Sequence, residues 1–198
     1  MQLYDISQPI FDCVVFPGDT APSRKSVLKI AEGDNCNLTD FTMCAHNGTH
    51  VDAPYHFYND GKTIGEVMLS KFIGQAYVAE WEGDLDGKGA EDILSRAGKA
   101  FAGADKKILI KGPATVTEDA ARVFARVGID LLGNESQTVG PEDAPRNVHL
   151  ILLEKEIVLL EGIRLGMVSE GAYMLNCAPI NLGDCDGAPC RAVLMQLD

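Results

Sequence analysis

Residues 46–56 read HNGTHVDAPYH and contain three of the four histidines in the chain. Gly48 and Pro54 disfavour a helix here, so we expect extended backbone. In an extended chain the even-numbered side chains point to the same face. Those positions include His46, His50, Asp52 and His56. One face of this stretch is therefore predicted to carry three imidazoles and a carboxylate.

A straight strand would not bring these groups to one ion. At about 3.3 Å per residue, His46 and Asp52 would lie about 20 Å apart. A metal ion binds nitrogen and oxygen ligands at only about 2 Å. The chain must therefore bend if these side chains share an ion, and Gly48 is the residue able to adopt a bulge or tight turn.

Each histidine alone also has a plain structural interpretation, as a packed or exposed strand residue. Their clustering beside an acid and a Gly-Thr bend favours a metal site. Imidazole and carboxylate donors without a thiolate suit Zn²⁺, Mn²⁺ or Fe²⁺, and the sequence does not choose among these ions.

Two further candidate donors lie downstream. His149 is the only histidine outside the block, and Glu161 interrupts the apolar segment 158–163. A glutamate in such a segment either lies at a strand end in water or is buried with a cation that offsets its charge. In the second case the four histidines and two carboxylates could hold two ions.

The composition excludes several classes of protein. The chain has 198 residues, a net charge of −12 and scattered basic residues, so no basic surface for nucleic acid is expected. No apolar run approaches the roughly 18 residues of a membrane span, and the amino-terminal residues lack the pattern of a signal peptide. The sequence therefore predicts a cytoplasmic protein that binds neither membranes nor nucleic acid.

The six cysteines form no CxxC pair, and we expect free thiols. Two interpretations remain for the carboxy-terminal trio, which lies beside Asp184 and Asp186. Packing in the core or in turns is favoured, and metal binding is the alternative. The trio is Cys177, Cys185 and Cys190.

No linker or repeat divides the chain, so residues 1–198 are predicted to form a single domain. Strands and helices alternate only in the second half, which predicts an α/β fold with a mixed sheet, curved or barrel-like and flanked by helices. The predicted strands cover 3–6, 37–46, 74–81, 107–110, 129–132, 157–163, 172–180 and 191–197. The predicted helices cover 90–100, 117–128 and 148–156.

The histidine block resembles the His-x-Gly-Thr-His-x-Asp-Ala-Pro-x-His signature of the cyclase family of metal-dependent hydrolases, which includes bacterial kynurenine formamidases and isatin hydrolases. The likeness spans nearly the whole chain. It includes a Pro-Gly-Asp-Thr turn at 17–20, a Gly-x-acid-Ser segment at 133–136, and a histidine followed twelve residues later by glutamate, here His149 and Glu161. The histidine block is the specific part of this likeness.

The resemblance implies a role for each candidate residue. His46, His50 and Asp52 are expected to bind a first metal ion, and Asp52 to reach a second ion as well. His149 and Glu161 would complete the second site, with one or two divalent ions, Zn²⁺ or Mn²⁺, in all. The implied fold is the swivelling β/β/α type, which usually assembles as homodimers or homotetramers.

The chain departs from the formamidase pattern at three places that bear on specificity. Phe16 stands where those enzymes usually carry tryptophan before the Pro-Gly-Asp-Thr turn. Glu135 replaces a common aspartate, and a frequent His-His pair is reduced to the single His149. These departures support metal chemistry better than they support formylkynurenine as the substrate.

Together these features predict hydrolysis of a C–N amide bond, linear or cyclic, in a small molecule. A divalent ion lowers the pKa of water to about 7, and the resemblance implies that His56 is the catalytic acid and base. His56 as a third ligand, or as a residue that orients one, is the alternative. Ester or lactone hydrolysis and a non-catalytic metal-binding module are the rival functions.

Three aromatic side chains near the block could wall an apolar pocket, although such residues more often pack in a core. They are Phe16, Tyr55 and Phe57. Serine hydrolases and nucleotide-binding proteins are excluded, because the chain has neither a Gly-x-Ser-x-Gly elbow nor a phosphate-binding glycine loop.

Overall fold

The computed structural model describes residues 1–196, which form thirteen strands and three α-helices. The strands are β1 (Gln2–Asp5), β2 (Ser23–Leu28), β3 (Leu38–Thr42), β4 (His50–Asp52), β5 (Ile73–Glu80), β6 (Gly83–Leu85), β7 (Lys107–Lys111), β8 (Ala114–Val116), β9 (Leu131–Asn134), β10 (Val158–Glu161), β11 (Gly171–Asn176), β12 (Gly187–Pro189) and β13 (Val193–Gln196). The helices are α1 (Gly87–Ala100), α2 (Glu118–Val127) and α3 (Arg146–Leu153).

Nine of the strands form one mixed sheet in the order β1-β13-β11-β5-β7-β9-β10-β4-β12. Its centre, β5 to β10, is parallel, and the strands on both sides join it antiparallel. The sheet curls into a half-barrel within a single domain, which confirms the predicted α/β fold with a curved mixed sheet. Two small two-stranded ladders, β2-β3 and β6-β8, lie outside it.

The alternation of side chains along each central strand separates two cores. Ile108 and Ile110 of β7 pack under the helices, whereas Leu109 between them faces the inside of the curl. All three helices cover the first face, through side chains such as Ile93, Phe124 and Leu152. Every polar side chain on the helix-covered face must therefore find a partner away from bulk water.

The capping residues predicted for helix α2 make the expected contacts at both of its ends. The Thr117 hydroxyl accepts a hydrogen bond from the amide of Ala120, and Gly128 ends the helix at φ 69°. The predicted helix over 117–128 is confirmed within one residue at each end. The third helix, predicted over 148–156, begins at Arg146 and ends at Leu153, and Glu156 beyond it has a φ of 55°.

Other element boundaries were wrong for local reasons. The strand predicted over 37–46 stops at Thr42, because the chain turns before the histidine block. Strand β2, its partner in an exposed hairpin, was not predicted. The last strand, predicted over 191–197, covers Val193–Gln196, and Leu197 lies outside the described residues. No helix among residues 1–196 is both long and apolar enough to cross a bilayer.

Candidate metal centre

Two neighbouring strands supply three donors at the carboxyl end of the parallel sheet. Glu161 is the last residue of β10, and His50 lies directly opposite it on the antiparallel strand β4. Val51 points to the inside of the curl, so His50 and Asp52 on either side of it point to the helix-covered face. All three donors are buried, with at most 3% of each residue exposed.

Helix α3 brings the fourth donor onto this face. His149 is 2% exposed and lies on the side of α3 that packs against the sheet. Its Nε2 is 3.2 Å from Glu161 Oε1 and 3.6 Å from Asp52 Oδ2. The fold thus gathers two side chains that lie about a hundred residues from the histidine block.

The turn before β4 supplies His46. Gly48 has a φ of +66°, so the bend expected at this residue is present. His46 Nδ1 lies 2.9 Å from Asp52 Oδ1, and His50 Nε2 lies 3.5 Å from the same oxygen. The expectation of extended backbone throughout residues 46–56 is wrong, however: only residues 50–52 form a strand, and Pro54–His56 form a 3₁₀ turn that Pro54 opens.

Two of the imidazoles are oriented by backbone carbonyls. His50 Nδ1 lies 3.1 Å from the carbonyl oxygen of Gly48, and His149 Nδ1 lies 3.0 Å from that of Pro145. A carbonyl oxygen can only accept, so each Nδ1 carries a proton, and the neutral form of each imidazole would present its Nε2 lone pair to the carboxylates. Histidines that bind metals are usually held in this way through their outer nitrogen.

The carboxylates and the Nε2 atoms of the imidazoles leave room for a cation between them. Asp52 Oδ2 is fully buried and has no hydrogen-bond partner, which is costly for a charged oxygen. Donor atoms around a tetrahedral ion lie about 3.3 Å apart when the bonds are about 2 Å long. Asp52 lies 3.5 Å from His50 and 3.6 Å from His149, and His149 lies 3.2 Å from Glu161, which fits that spacing. The 2.9 Å between His46 and Asp52 is a hydrogen-bond distance. The residues therefore fit one cation on each side of Asp52.

The electrostatics of the site require a positive charge. Burial alone would raise the pKa of the Asp52 carboxyl, but His46, His56 and His50 outweigh it and lower this pKa below its ordinary value. Burial likewise disfavours the charged form of His46, yet Asp52 and Asp186 raise its pKa to about 11. The protonated His46 thus supplies part of the positive charge that these carboxylates require.

A hydrogen-bonded cradle supports the turn behind the donors. The Thr49 hydroxyl donates to the carbonyl of Gly162 at 2.8 Å, and the Gln137 side-chain amide donates to the carbonyl of Gly48 at 3.1 Å. Gly162 has a φ of +67°, and a Cβ there would overlap Gln137, Gly48 and Gln8. This position therefore admits only glycine without displacing the turn.

The fourth histidine lies beside the cluster at the edge of a cavity. His56 stacks on His46, with ring centroids 4.1 Å apart, and its Nδ1 is 3.3 Å from Asp186 Oδ2. The cavity measures about 180 Å³. It is lined by Phe16, Asp19, His46, His56, Phe57, Gln137, Thr138, Pro145, His149 and Glu161.

Two of the three predicted pocket aromatics line this cavity. Phe57 packs edge-on against His56 at a centroid distance of 4.6 Å. Phe16, from a separate chain segment, lines the same cavity. Tyr55 does not line the cavity, since the 3₁₀ turn directs its ring to solvent, where the residue is 39% exposed. We therefore correct the expectation that Tyr55 walls the pocket.

The carboxy-terminal cysteines take no part in a metal cluster among residues 1–196. All six thiols are free, as expected, and Cys177 is buried in the inner core. Asp186 beside them instead approaches His46 and His56. Sequence reasoning missed this contact, because nothing in the local pattern connects Asp186 to a residue 140 positions earlier.

Comparison with known proteins identifies the family. The sequence model of the family described as "Putative cyclase" matches residues 4–141. The chain is 31% identical to a kynurenine formamidase of Delftia acidovorans over 99% of its own length and 98% of that protein. The chain belongs to the cyclase family. A kynurenine formamidase of Bacillus anthracis is a similar member, at 32% identity over 98% and 97% of the two chains.

Solved structures of cyclase-family proteins share the fold. Isatin hydrolase A from Labrenzia aggregata superposes with a TM-score of 0.81 at 16% identity, over 100% of this chain and 94% of that one. A "predicted metal-dependent hydrolase" from Bacillus stearothermophilus gives a TM-score of 0.80 at 24% identity, over 98% and 97% of the chains. At these identities the likeness shows the fold alone.

Proposed function

We propose that this cyclase-family protein is a metal-dependent hydrolase that cleaves a C–N amide bond in a small molecule. The observation that carries this proposal is the convergence of three imidazoles and Glu161 around the buried carboxylate of Asp52, one oxygen of which has no hydrogen-bond partner, next to an open cavity. The relatives named kynurenine formamidase, matched over nearly their full length, support amide hydrolysis as the reaction.

His46, His50 and Asp52 would hold one divalent ion, and Asp52, His149 and Glu161 a second, with Zn²⁺ or Mn²⁺ as the candidates. Glu161 bridges toward both groups, since its Oε2 is 3.3 Å from His50 Nε2 and its Oε1 is 3.2 Å from His149. When bound, such ions supply Lewis-acid activation of water and of the substrate carbonyl.

His56 is the acid and base of the proposed reaction. Its Nδ1 is engaged by Asp186, which leaves Nε2 for the cavity that the ring lines. From there it accepts the proton of the attacking water and returns it to the leaving nitrogen, so the amine departs neutral. Its side chain is 29% exposed, so the ring is accessible to substrate and water.

Phe16 and Phe57 form the apolar walls that would bind the substrate. The cavity of about 180 Å³ adjoins a second of about 380 Å³, and both are lined by Phe16, Gln137 and Thr138. Together these spaces suit an aromatic or cyclic amide whose ring packs on Phe16 and Phe57. The larger space is also lined by charged side chains, namely Glu135, Glu142 and Arg164. We propose that these walls favour such amides, with the formyl or ring carbonyl toward Asp52.

The experiment pairs metal analysis by plasma mass spectrometry with a substrate panel of aryl formamides, including formylkynurenine, cyclic amides and lactones. We expect bound divalent metal and turnover of at least one amide, both lost on chelation and restored by zinc or manganese. Faster turnover of lactones than of every amide would assign the site to ester hydrolysis. Bound metal without turnover of any substrate would point to a non-catalytic metal-binding module.

A further inference from the structure

Asp186 lies where two histidines with different proposed roles meet. One of its oxygens, Oδ2, is 2.7 Å from His46 Nε2 and 3.3 Å from His56 Nδ1. The two rings stack at a centroid distance of 4.1 Å and a tilt of 30°, so both edges reach the same oxygen. A single carboxylate oxygen thus contacts one proposed metal ligand and the proposed acid and base.

The backbone fixes this carboxylate relative to the donors. The carbonyl of Asp186 accepts a hydrogen bond from the amide of Ala53 at 2.9 Å. Strand β12 then continues antiparallel to β4, with Gly187 opposite Asp52 and Pro189 opposite His50. The strand that carries His50 and Asp52 therefore also sets the position of Asp186.

Gly187 adds an independent sign that the His46 ring is held closely here. A Cβ at this position would lie 2.8 Å from His46 Cε1 and 2.7 Å from the carbonyl oxygen of Val51. Real Cβ atoms essentially never approach other atoms this closely. The ring of His46 is therefore seated against the backbone of β12, with its Nε2 directed to Asp186.

We propose that Asp186 is a positioning residue that sets opposite ring tautomers on the two histidines. An ionised carboxylate only accepts, so in the metal-loaded protein His46 would donate from Nε2 to Asp186 and leave its Nδ1 lone pair for the ion that it shares with Asp52. His56 carries its proton on Nδ1 and turns Nε2 to the cavity. The inference rests on the proposed function, in which His46 binds metal and His56 transfers protons.

The three side chains have a rival interpretation as ligands of a separate cation. Their donor atoms lie within 4.8 Å of one another, which such a site would also require. His46 would then have to turn Nε2 toward that cation and its other nitrogen toward the Asp52 cation. The distance of 2.7 Å to Asp186 instead matches a charge-assisted hydrogen bond.

The test uses the zinc-loaded protein and its D186N variant, with D184N as the matched control, since Asp184 is an exposed carboxylate two residues earlier. Long-range ¹H–¹⁵N spectra report the tautomer of each imidazole, and the chain has only four histidines to resolve. We expect an Nε2–H tautomer for His46 and an Nδ1–H tautomer for His56 in wild type and D184N. In D186N, His56 becomes a mixture of tautomers.

Zinc affinity and kinetics provide separate readouts. Losing a carboxylate behind a ligating histidine typically weakens metal binding or activity by about 10- to 100-fold. We expect D186N to weaken zinc binding within that range, measured against a chromophoric chelator, and to lower kcat at saturating zinc while KM stays near wild type. G187A would displace the His46 ring and press on the carbonyl oxygen of Val51, but its added Cβ does not contact His56. We expect it to weaken zinc binding and to leave the His56 tautomer intact.

Two results would overturn the inference. One is unchanged tautomers and unchanged zinc affinity in both D186N and D186A, provided that both variants melt like D184N. The other is a third zinc ion per chain that is lost in D186N, which would make Asp186 a ligand. The spectra and the zinc titration need no substrate, so they distinguish this failure from a failure of the proposed amide hydrolysis.

Discussion

The inner and outer halves of the site are built differently. The inner half is His50, Asp52, His149 and Glu161, each at most 3% exposed. The outer half is His46, His56 and Asp186, whose side chains are 13%, 29% and 40% exposed. Backbone carbonyls orient the inner imidazoles, whereas a partly hydrated carboxylate orients the outer ones.

This difference in burial matches the role proposed for each half of the site. A buried carboxylate pair is stable only beside a compensating charge, so the inner half is suited to hold a cation permanently. A proton carrier must reach substrate and water, so His56 belongs at the exposed edge. We expect changes in the inner half to remove metal, and a change at His56 to reduce turnover while metal stays bound.

The largest effect is expected from Asp52→Asn, because Asp52 lies between both donor groups. This change removes the charge that attracts each cation. We expect metal content to fall to near zero and activity to fall to background, a loss of more than the roughly 100-fold typical of outer partners. Plasma mass spectrometry and turnover measure it, and normal metal content in D52N would show that the cations bind elsewhere.

His56→Ala should separate the two halves most cleanly. The proposal has His56 transfer protons and hold no metal, so we expect kcat to fall by about 10²- to 10⁴-fold while metal content stays normal. Metal analysis and steady-state kinetics on one preparation provide the check. Metal loss that accompanies the loss of activity would reassign His56 as a ligand.

The pocket walls should affect KM more than kcat. Truncation of Phe57 to alanine removes an apolar wall worth about 1–3 kcal/mol of binding, so we expect KM to rise by about tenfold or more. Tyr55→Ala is the control, since Tyr55 is exposed and outside the cavity. Equal effects of the two changes on KM would show that the cavity at Phe57 does not bind substrate.

Metal binding should release protons at neutral pH. Because Asp52 and Asp186 raise the pKa of His46 to about 11, its imidazole holds a proton that a cation must displace. Metal affinity should therefore increase with pH, by about tenfold per unit for each displaced proton. Calorimetry in buffers of different ionisation enthalpy measures the released protons, and equal heats in all buffers would contradict the proposed binding of metal at His46.

The smallest effect concerns two glycines with similar left-handed backbone. Gly162 and Gly128 have φ values of +67° and +69°, so alanine at either costs about 1–2 kcal/mol of strain. Only Gly162 is enclosed by the cradle; Gly128 has nothing within 4 Å of its added Cβ. Urea unfolding should show that G162A lowers the free energy of unfolding by about 1–3 kcal/mol more than G128A does. Equal losses of stability would mean that the cradle adjusts to the added methyl group without cost.

Most of the candidate metal ligands could be predicted from the sequence, because they are uncommon residue types in unusual positions. Three histidines in eleven residues, and a glutamate in an apolar strand, are visible without any coordinates. The two ends of helix α2 could likewise be predicted from Thr117 and Gly128. In each case one local chemical preference dictates the structure.

What the sequence did not reveal depends on contacts between distant segments. Asp186 precedes β12, a strand of three residues, which is too short to show an alternating sequence pattern. The pairing of β12 with β4 forms only in the folded protein. Tyr55 was expected in the pocket because it is an aromatic residue next to the histidines in the sequence, whereas the 3₁₀ turn at Pro54 leaves it exposed. Such features follow from the packing of the whole sheet rather than from any local pattern.

Anomalous diffraction at the zinc absorption edge, from crystals of the zinc-loaded protein, tests the central claim most directly. We predict two peaks on opposite sides of Asp52, each within about 2.2 Å of one of its oxygens, with His46 and His50 at one peak and His149 and Glu161 at the other. Zinc bound elsewhere, with no peak beside Asp52, would contradict the proposed metal centre.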